Sequence, residues 1–282
     1  MSDSSDHKGT VRRNYDRNAD LYVGSRRMQD GNLRKLVALL CEGERAPAGA
    51  LLDVGCGSGP AVPLLSGQAD CFQGDYVGVD LSAELIKRAV AEHGSAGTFV
   101  VGDAERLPFV DGTFSIVLSN SVLHWLNVSG RDRNSYIAMT EAYRVLAKGG
   151  LFVASISGAG TASRFLQARA EILNRLGKQD GNAGGYSHNP IGSMHLHEVV
   201  EFLSRAGFAV DHARMDYEAV LYDDPLEYQE DARAYGYDVF LASVRPERRE
   251  DVWSAIGVEF RCIAGAPYLH DQYMIYTKAR KL

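Results

Sequence analysis

Three glycines and three aspartates are the residues here whose spacing suggests chemistry. In "LLDVGCGSGP" (Leu51–Pro60), Gly55, Gly57 and Gly59 fall within five residues, directly behind an apolar run that holds Asp53. Glycine adopts left-handed backbone angles and lets a ligand approach the main chain, so the spacing predicts a tight strand-to-helix turn with exposed N–H groups. Such turns often hold phosphates, but two details point away from them. A dinucleotide turn of the G-x-G-x-x-G type needs glycine or alanine at the sixth place, and here that place is Pro60, a residue suited to the start of a helix. The GK[ST] ending that supplies a lysine to nucleotide phosphates is also missing. Asp80, 21 residues after Gly59, ends "YVGVD", and Asp103 ends "TFVVGD". Three carboxylates along one sheet edge would repel a pyrophosphate. They offer acceptors to ribose hydroxyls, an ammonium and an adenine amino group, a description that S-adenosylmethionine fits and extends with a sulfonium cation.

The elements that must place these residues alternate. Apolar segments at 50–55, 76–81, 98–103, 114–120 and 150–157 read as strands. Between them lie helical stretches such as "SAELIKRAVAEH", with Ser82 as N-cap, and "SYIAMTEAYRVL", closed by a turn at Lys148-Gly149-Gly150. Near-continuously apolar strands separated by helices predict a parallel sheet covered on both faces, with its ligand at the carboxyl ends of the strands. Two amphipathic helices precede the sheet. After Ser157 come a helix at about 161–176, a Gly-rich loop, the helix "MHLHEVVEFLSRAG", the strand "FAVDHARMDYEAV", helical segments at about 224–244 and 246–260, and a closing strand, "YLHDQYMIYTKA". This order divides the chain into an N-terminal helical lid (1–49), a ligand-binding core (50–157) and a remainder (158–282) that completes the sheet and inserts a cap, all in one continuous domain.

"LLDVGCGSGP", "VGVDLS", "GDAERLPFVDGTFSIVLSN" and "EAYRVLAKGGLFVAS" together resemble the class I S-adenosylmethionine-dependent methyltransferases, in particular the type 11-like subgroup acting on small molecules, over roughly residues 50–157. Singly, a GxG turn is more often only a turn, and Asp80 or Asp103 can each serve as a cap; their order and spacing set the combination apart. The resemblance implies an α/β, Rossmann-like, doubly wound sheet of seven strands, mostly parallel with an antiparallel closing strand, flanked by N-terminal helices and a helical cap. It implies that Asp53, Gly55, Cys56 and Gly57 flank the methionine part of the cofactor. Asp80 and Leu81 would meet the ribose, Asp103 and Ala104 the adenine, and Asn120 and Ser121 the transferring methyl. "YDRNADLY" resembles an aromatic lid that brings Tyr15 and Tyr22, with Arg26 or Arg27 as partner for the methionine carboxylate.

Methyl transfer from a sulfonium needs alignment of donor and nucleophile, which can supply roughly 7–11 kcal/mol, and no metal or protein nucleophile. An acceptor with an acidic proton also needs a base. Candidates are His124, Tyr22 and His188, with His124 equally readable as a structural histidine. Trp125, Tyr186, Tyr22 and His188 are the expected acceptor pocket. His195 and His197 read as helix-start residues. The marker of adenine and glutamine amino-methylation, [DNS]-P-P-[YFW], is replaced by Ser119-Asn120-Ser121-Val122, and no Pro-Cys nucleophile pair is present. The tyrosines 186, 217, 222, 228, 235 and 237 suggest a flat aromatic acceptor. By similarity to actinobacterial natural-product enzymes, the leading expectation is the indole C3 carbon of a tryptophan-derived scaffold such as a diketopiperazine. The alternatives are O- or N-methylation of another aromatic or quinone metabolite, and a non-catalytic cofactor-binding protein.

At 282 residues and 45% hydrophobic, the chain can fill one large core with a cap. A formal charge of −6 without a dense Lys/Arg run argues against a nucleic-acid partner, which leaves a small molecule and, as an open option, a second copy of the chain in a homodimer. No run is long and apolar enough for a membrane span, and "MSDSSDHKG" lacks secretory features, so a cytoplasmic location is expected. The cysteines 41, 56, 71 and 262 show no CxxC pairing and read as reduced.

Overall fold

The computed structural model describes residues 3–24, 27–43, 46–68, 72–127, 133–179, 193–234, 241 and 244–282. The strands β1 (Leu51–Val54), β2 (Tyr76–Asp80), β3 (Thr98–Val101), β4 (Phe114–Asn120), β5 (Leu146–Ser157), β6 (Phe208–Tyr222) and β7 (Tyr268–Lys281) form one sheet in the order 3-2-1-4-5-7-6. The first five run parallel, and β7 is antiparallel to both of its neighbours, β5 and β6. Chain order reverses between β1 and β4. In open α/β sheets that reversal leaves a crevice at the carboxyl ends of the two strands.

The central strands are apolar on both sides because helices cover both faces. Leu51, Ile116 and Leu118 face α3 (Arg27–Cys41) and α4 (Ala61–Ser66), while Leu52, Val54 and Val117 face α6 (Arg133–Val145) and α8 (Leu196–Ala206). In α3, Leu33, Leu36, Val37 and Leu40 recur at helical spacing and are buried. Ser82 caps α5 (Ala83–His93), its hydroxyl accepting the Leu85 N–H at 3.2 Å. The expected turn at Lys148–Gly150 is instead part of β5, which starts at Leu146. Gly149 takes φ +77°, and the pairing with β4 shifts register between Phe114 and Ile116, so the strand absorbs the glycines as an irregularity.

Three helices precede the sheet rather than two: α1 (Asp3–Arg17), α2 (Ala19–Gly24) and α3. The cap consists of α7 (Ser163–Gln179), α9 (Pro225–Ala234) and α10 (Arg249–Ala264), the last two inserted between β6 and β7. It has its own apolar core, in which Phe165 packs edge-on to Phe260 at 5.5 Å and Tyr222 and Tyr228 are buried. Cys41 is disulfide-bonded, which corrects the expectation of four reduced thiols; Cys56 is a buried free thiol and Cys262 an exposed one. Among the described residues no helix is long and apolar enough to cross a membrane.

Candidate functional site

The crevice at the β1/β4 reversal holds a cavity of about 830 Å³. Its floor is the glycine turn. Gly55 (φ +75°) and Gly57 (φ +55°) adopt left-handed angles, and the Gly55 and Cys56 N–H groups donate to the Val79 carbonyl. A Cβ on Gly55 would lie 2.9 Å from Val122 Cγ1 and closer still to Cγ2, and one on Gly57 would face the Tyr22 ring at 3.6 Å. Asp80 fixes the turn from the next strand: its carboxylate accepts the Gly57 N–H at 2.9 Å and the Ser82 N–H at 2.8 Å. Burial nevertheless raises the Asp80 carboxyl above its ordinary value, against those two bonds.

The lid α1 lies across the same edge. Asp16 accepts the Ser82 hydroxyl at 2.6 Å, and Asp20 in α2 pairs with Arg88 at 2.7 Å. Lys8 bridges Asp103 and Glu105, each at 2.8 Å. Tyr15 stands edge-on to Tyr22 at 5.4 Å and to Trp125 at 6.1 Å, and His7 Nε2 donates to the Trp125 carbonyl at 3.0 Å. The aromatic roof therefore rests on α1, α2 and the 3₁₀ turn Leu123–Trp125 together.

Tyr15, Tyr22, Ser121 and Trp125 also line a second cavity, of about 540 Å³, so these four residues form the boundary between the two. The boundary backbone is strained. Ser121 has φ +59°, unusual for a residue with a side chain, and its N–H donates to both the carbonyl and the hydroxyl of Ser155. Asn120 is fixed beside it, donating to the Gln29 carbonyl at 3.1 Å and accepting the Ser155 hydroxyl at 2.7 Å. Within the second cavity lies His124, whose Nδ1 accepts the Ser157 N–H at 3.2 Å. Burial lowers its pKa to about 3, so the ring is neutral near pH 7. With Nδ1 occupied as an acceptor, the ring proton sits on Nε2. In that tautomer the ring offers an N–H donor at Nε2.

The structure brings Tyr15, Tyr22, Gly55, Gly57, Asp80, Leu81, Asp103, Ala104, Asn120 and Ser121 to the first cavity, and His124 and Trp125 to the second or to both. Three expected cofactor residues are not among its lining. Asp53 is buried and accepts the Tyr76 hydroxyl at 2.6 Å, burial pushing its pKa up to about 7. The buried Cys56 thiol lies behind the turn, where a Cβ on Gly78 would meet Sγ at 2.7 Å. Arg27, the first residue of α3, is exposed and lines neither cavity. Arg26, Tyr186 and His188 lie outside the described residues, as do Tyr235 and Tyr237. Tyr222 and Tyr228 are core residues of the cap and Tyr217 is 51% exposed, and none of the three lines either cavity. Reading the sequence alone overlooked Lys8 and Arg12 in the first cavity, and Asn32, His270 and Gln272 in the second. For the last two the available signal was polar alternation in "YLHDQYM" of the closing strand. Among the described residues no group of three or more His, Cys, Asp or Glu side chains is placed to hold a metal ion.

The fold is that of a doubly wound α/β protein with a crevice at its switch point, and comparison with known proteins agrees on that fold. Residues 52–154 match the methyltransferase domain family. The chain is 30% identical over 273 residues, 95% of its own length and 90% of the relative's, to a malonyl-[acyl-carrier protein] O-methyltransferase of Geobacter sulfurreducens. To the enzyme of the same name from a Methylovorus strain it is 28% identical, over 81% of this chain and 73% of the other. A methyltransferase structure from Bacillus halodurans shares the fold, with a TM-score of 0.56 at 21% identity, covering 89% of this chain and 99% of that one. The chain belongs to the class I S-adenosylmethionine-dependent methyltransferases.

Proposed function

We propose that the first cavity holds S-adenosylmethionine and that the second presents a carboxylate, which is methylated on oxygen to give a methyl ester. The residues present suit the donor: Asp80 and Asp103 offer acceptors for ribose hydroxyls and an adenine amino group, the Ala104 edge borders the adenine, and the turn of Gly55 and Gly57 leaves room for a chain against the backbone. Bound there, the donor supplies an electrophilic methyl on a sulfonium cation. Tyr15, Tyr22 and Trp125 then exclude water from the meeting point and face the cation with aromatic rings.

The observation that carries the acceptor class is the Ser157 N–H bond that occupies His124 Nδ1. An indole or phenol must lose a proton on methylation, and His124 has no free lone pair to take it. A carboxylate is already a nucleophile and needs no base. Among the described residues no formally charged side chain lines the second cavity, so those residues offer neutral donors to an anion whose countercharge is the sulfonium next door. The O-methyltransferase names of the two relatives accord with this. An aromatic acceptor, including the indole C3 carbon of a diketopiperazine, is favoured only by the rings of Tyr15, Tyr22 and Trp125, and those rings already pack on one another.

The test is turnover with S-adenosylmethionine on a panel containing a malonyl thioester, its methyl ester and an indole-bearing diketopiperazine, read by mass spectrometry. The free acid gains one methyl and the other two do not; methylation of the indole with the acid untouched refutes the proposal.

A further inference from the structure

The strand β7 carries a second set of polar groups into the acceptor cavity. His270, Gln272 and Met274 alternate along it onto one face, and all three line that cavity. His270 is 1% exposed and Gln272 6%. Farther along the strand the buried polar groups are satisfied within the protein. The Tyr276 hydroxyl donates to Asn32 Oδ1 at 3.1 Å, and Lys278 Nζ donates to the carbonyls of Leu39, Leu40 and Glu42. Gln272 differs: its side-chain amide makes no hydrogen bond with any described residue. Gln229, buried in the cap, is engaged on its amide nitrogen, Nε2 donating to the Trp253 carbonyl at 2.6 Å, while its Oε1 has no partner. The His270 ring is held by two tyrosines of the cap core. It stacks on Tyr228 at 4.3 Å and lies 3.3 Å through Nδ1 from the Tyr268 hydroxyl, leaving Nε2 without a partner among the described residues.

The Gln272 amide and His270 Nε2 thus belong to the lining of the cavity and engage no described residue, on a strand that satisfies its other polar groups. We infer that His270 and Gln272 are the specificity determinants of the acceptor, holding an oxygen-bearing group, a carbonyl or carboxylate, of the molecule in the second cavity. They act on the acceptor alone, since neither lines the donor cavity. The inference rests on the proposed function in taking the second cavity as the acceptor's. It is independent of which acceptor atom receives the methyl.

The experiment compares Gln272→Met and His270→Phe with the wild type. Methionine keeps the length of the side chain, and phenylalanine keeps the stack on Tyr228. With a malonyl N-acetylcysteamine thioester as acceptor, each variant raises KM about tenfold or more, with kcat within about threefold and the affinity for S-adenosylhomocysteine unchanged by titration calorimetry. Gln272→Met also melts about 2–4 °C higher than the wild type, because the unpaired amide is gone. A purely structural amide predicts the reverse, a lower melting temperature with KM unchanged, and that result overturns the inference. Wild-type inactivity on this thioester refutes the carboxylate reading instead. The melting arm then decides the present inference alone: a higher melting temperature for Gln272→Met supports it, and a lower one overturns it.

Discussion

Gly55→Ala tests whether the turn at the end of β1 is built around one contact. Gly55 has φ +75°, and a Cβ there would lie 2.9 Å from Val122 Cγ1 and inside the radius of Cγ2. A left-handed angle at a non-glycine residue costs about 1–2 kcal/mol, and forcing a methyl into filled space costs about 1–3 kcal/mol more. The total, about 2–5 kcal/mol, corresponds to a fall in melting temperature of roughly 5–15 °C for a chain of this size. Val122→Ala removes the two methyls that the new Cβ meets and by itself costs about 1–2 kcal/mol. Combined with Gly55→Ala it relieves the clash, so the double variant is more stable than the sum of the single effects by about 1–3 kcal/mol. The backbone strain stays, and full stability does not return. The assay is thermal and urea unfolding of the four proteins, with S-adenosylhomocysteine titrated into each. Donor affinity falls at least tenfold in Gly55→Ala, because the displaced residues border the cavity proposed for the donor. Single effects that add to within about 0.5 kcal/mol would refute the steric account of this glycine.

Three further outcomes follow from other contacts. Asp80→Ala removes the acceptor of the Gly57 and Ser82 N–H groups as well as the proposed ribose acceptor; at about 1.5–3 kcal/mol per charged hydrogen bond, calorimetry should show donor affinity reduced at least 30-fold. His124 has a folded-state pKa of about 3 against an ordinary 6.5, so the unfolded chain binds the proton first and the wild type loses stability as pH falls from about 6.5 towards 3. His124→Asn, which keeps an acceptor for the Ser157 N–H, escapes that loss; the gap between the two proteins should close by about 1.4 kcal/mol per pH unit in urea unfolding, and parallel curves would contradict the neutral buried ring. Lys8→Met breaks a partly exposed pair with Asp103 and Glu105, worth about 0.5–1 kcal/mol after screening, and should speed hydrogen exchange across α1 without lowering the melting temperature appreciably.

The sheet was legible because its signals are local. Apolar runs, glycine punctuation and the Ser82 cap each depend on a few neighbouring residues. The same locality placed the Asp80 and Asp103 carboxylates at the strand ends, where the structure has them lining the cavity. That Asp53 does not line the cavity was not legible, because β1 is buried on both faces and alternation along "LLDV" does not reveal which side its carboxylate takes; its Tyr76 partner comes from the next strand. The proton of His124 is placed by the Ser157 N–H, 33 positions away, and no spacing rule encodes that bond. The cap tyrosines were misleading for a physical reason: Tyr222 and Tyr228 close an apolar core of the cap, a demand as strong on aromatic residues as any ligand's. His270 and Gln272 were overlooked because a closing strand more than 200 residues from the glycine turn seemed remote from it, while the antiparallel pairing with β5 brings its start to the same edge.

The position of the transferred methyl tests the central claim most directly. S-adenosylmethionine labelled in its methyl group is turned over with a malonyl thioester, and the product is treated with mild alkali. A carboxylate acceptor gives a methyl ester, and the label leaves as volatile methanol. Label that stays on the product through alkali marks a methyl on carbon or nitrogen and contradicts the assignment.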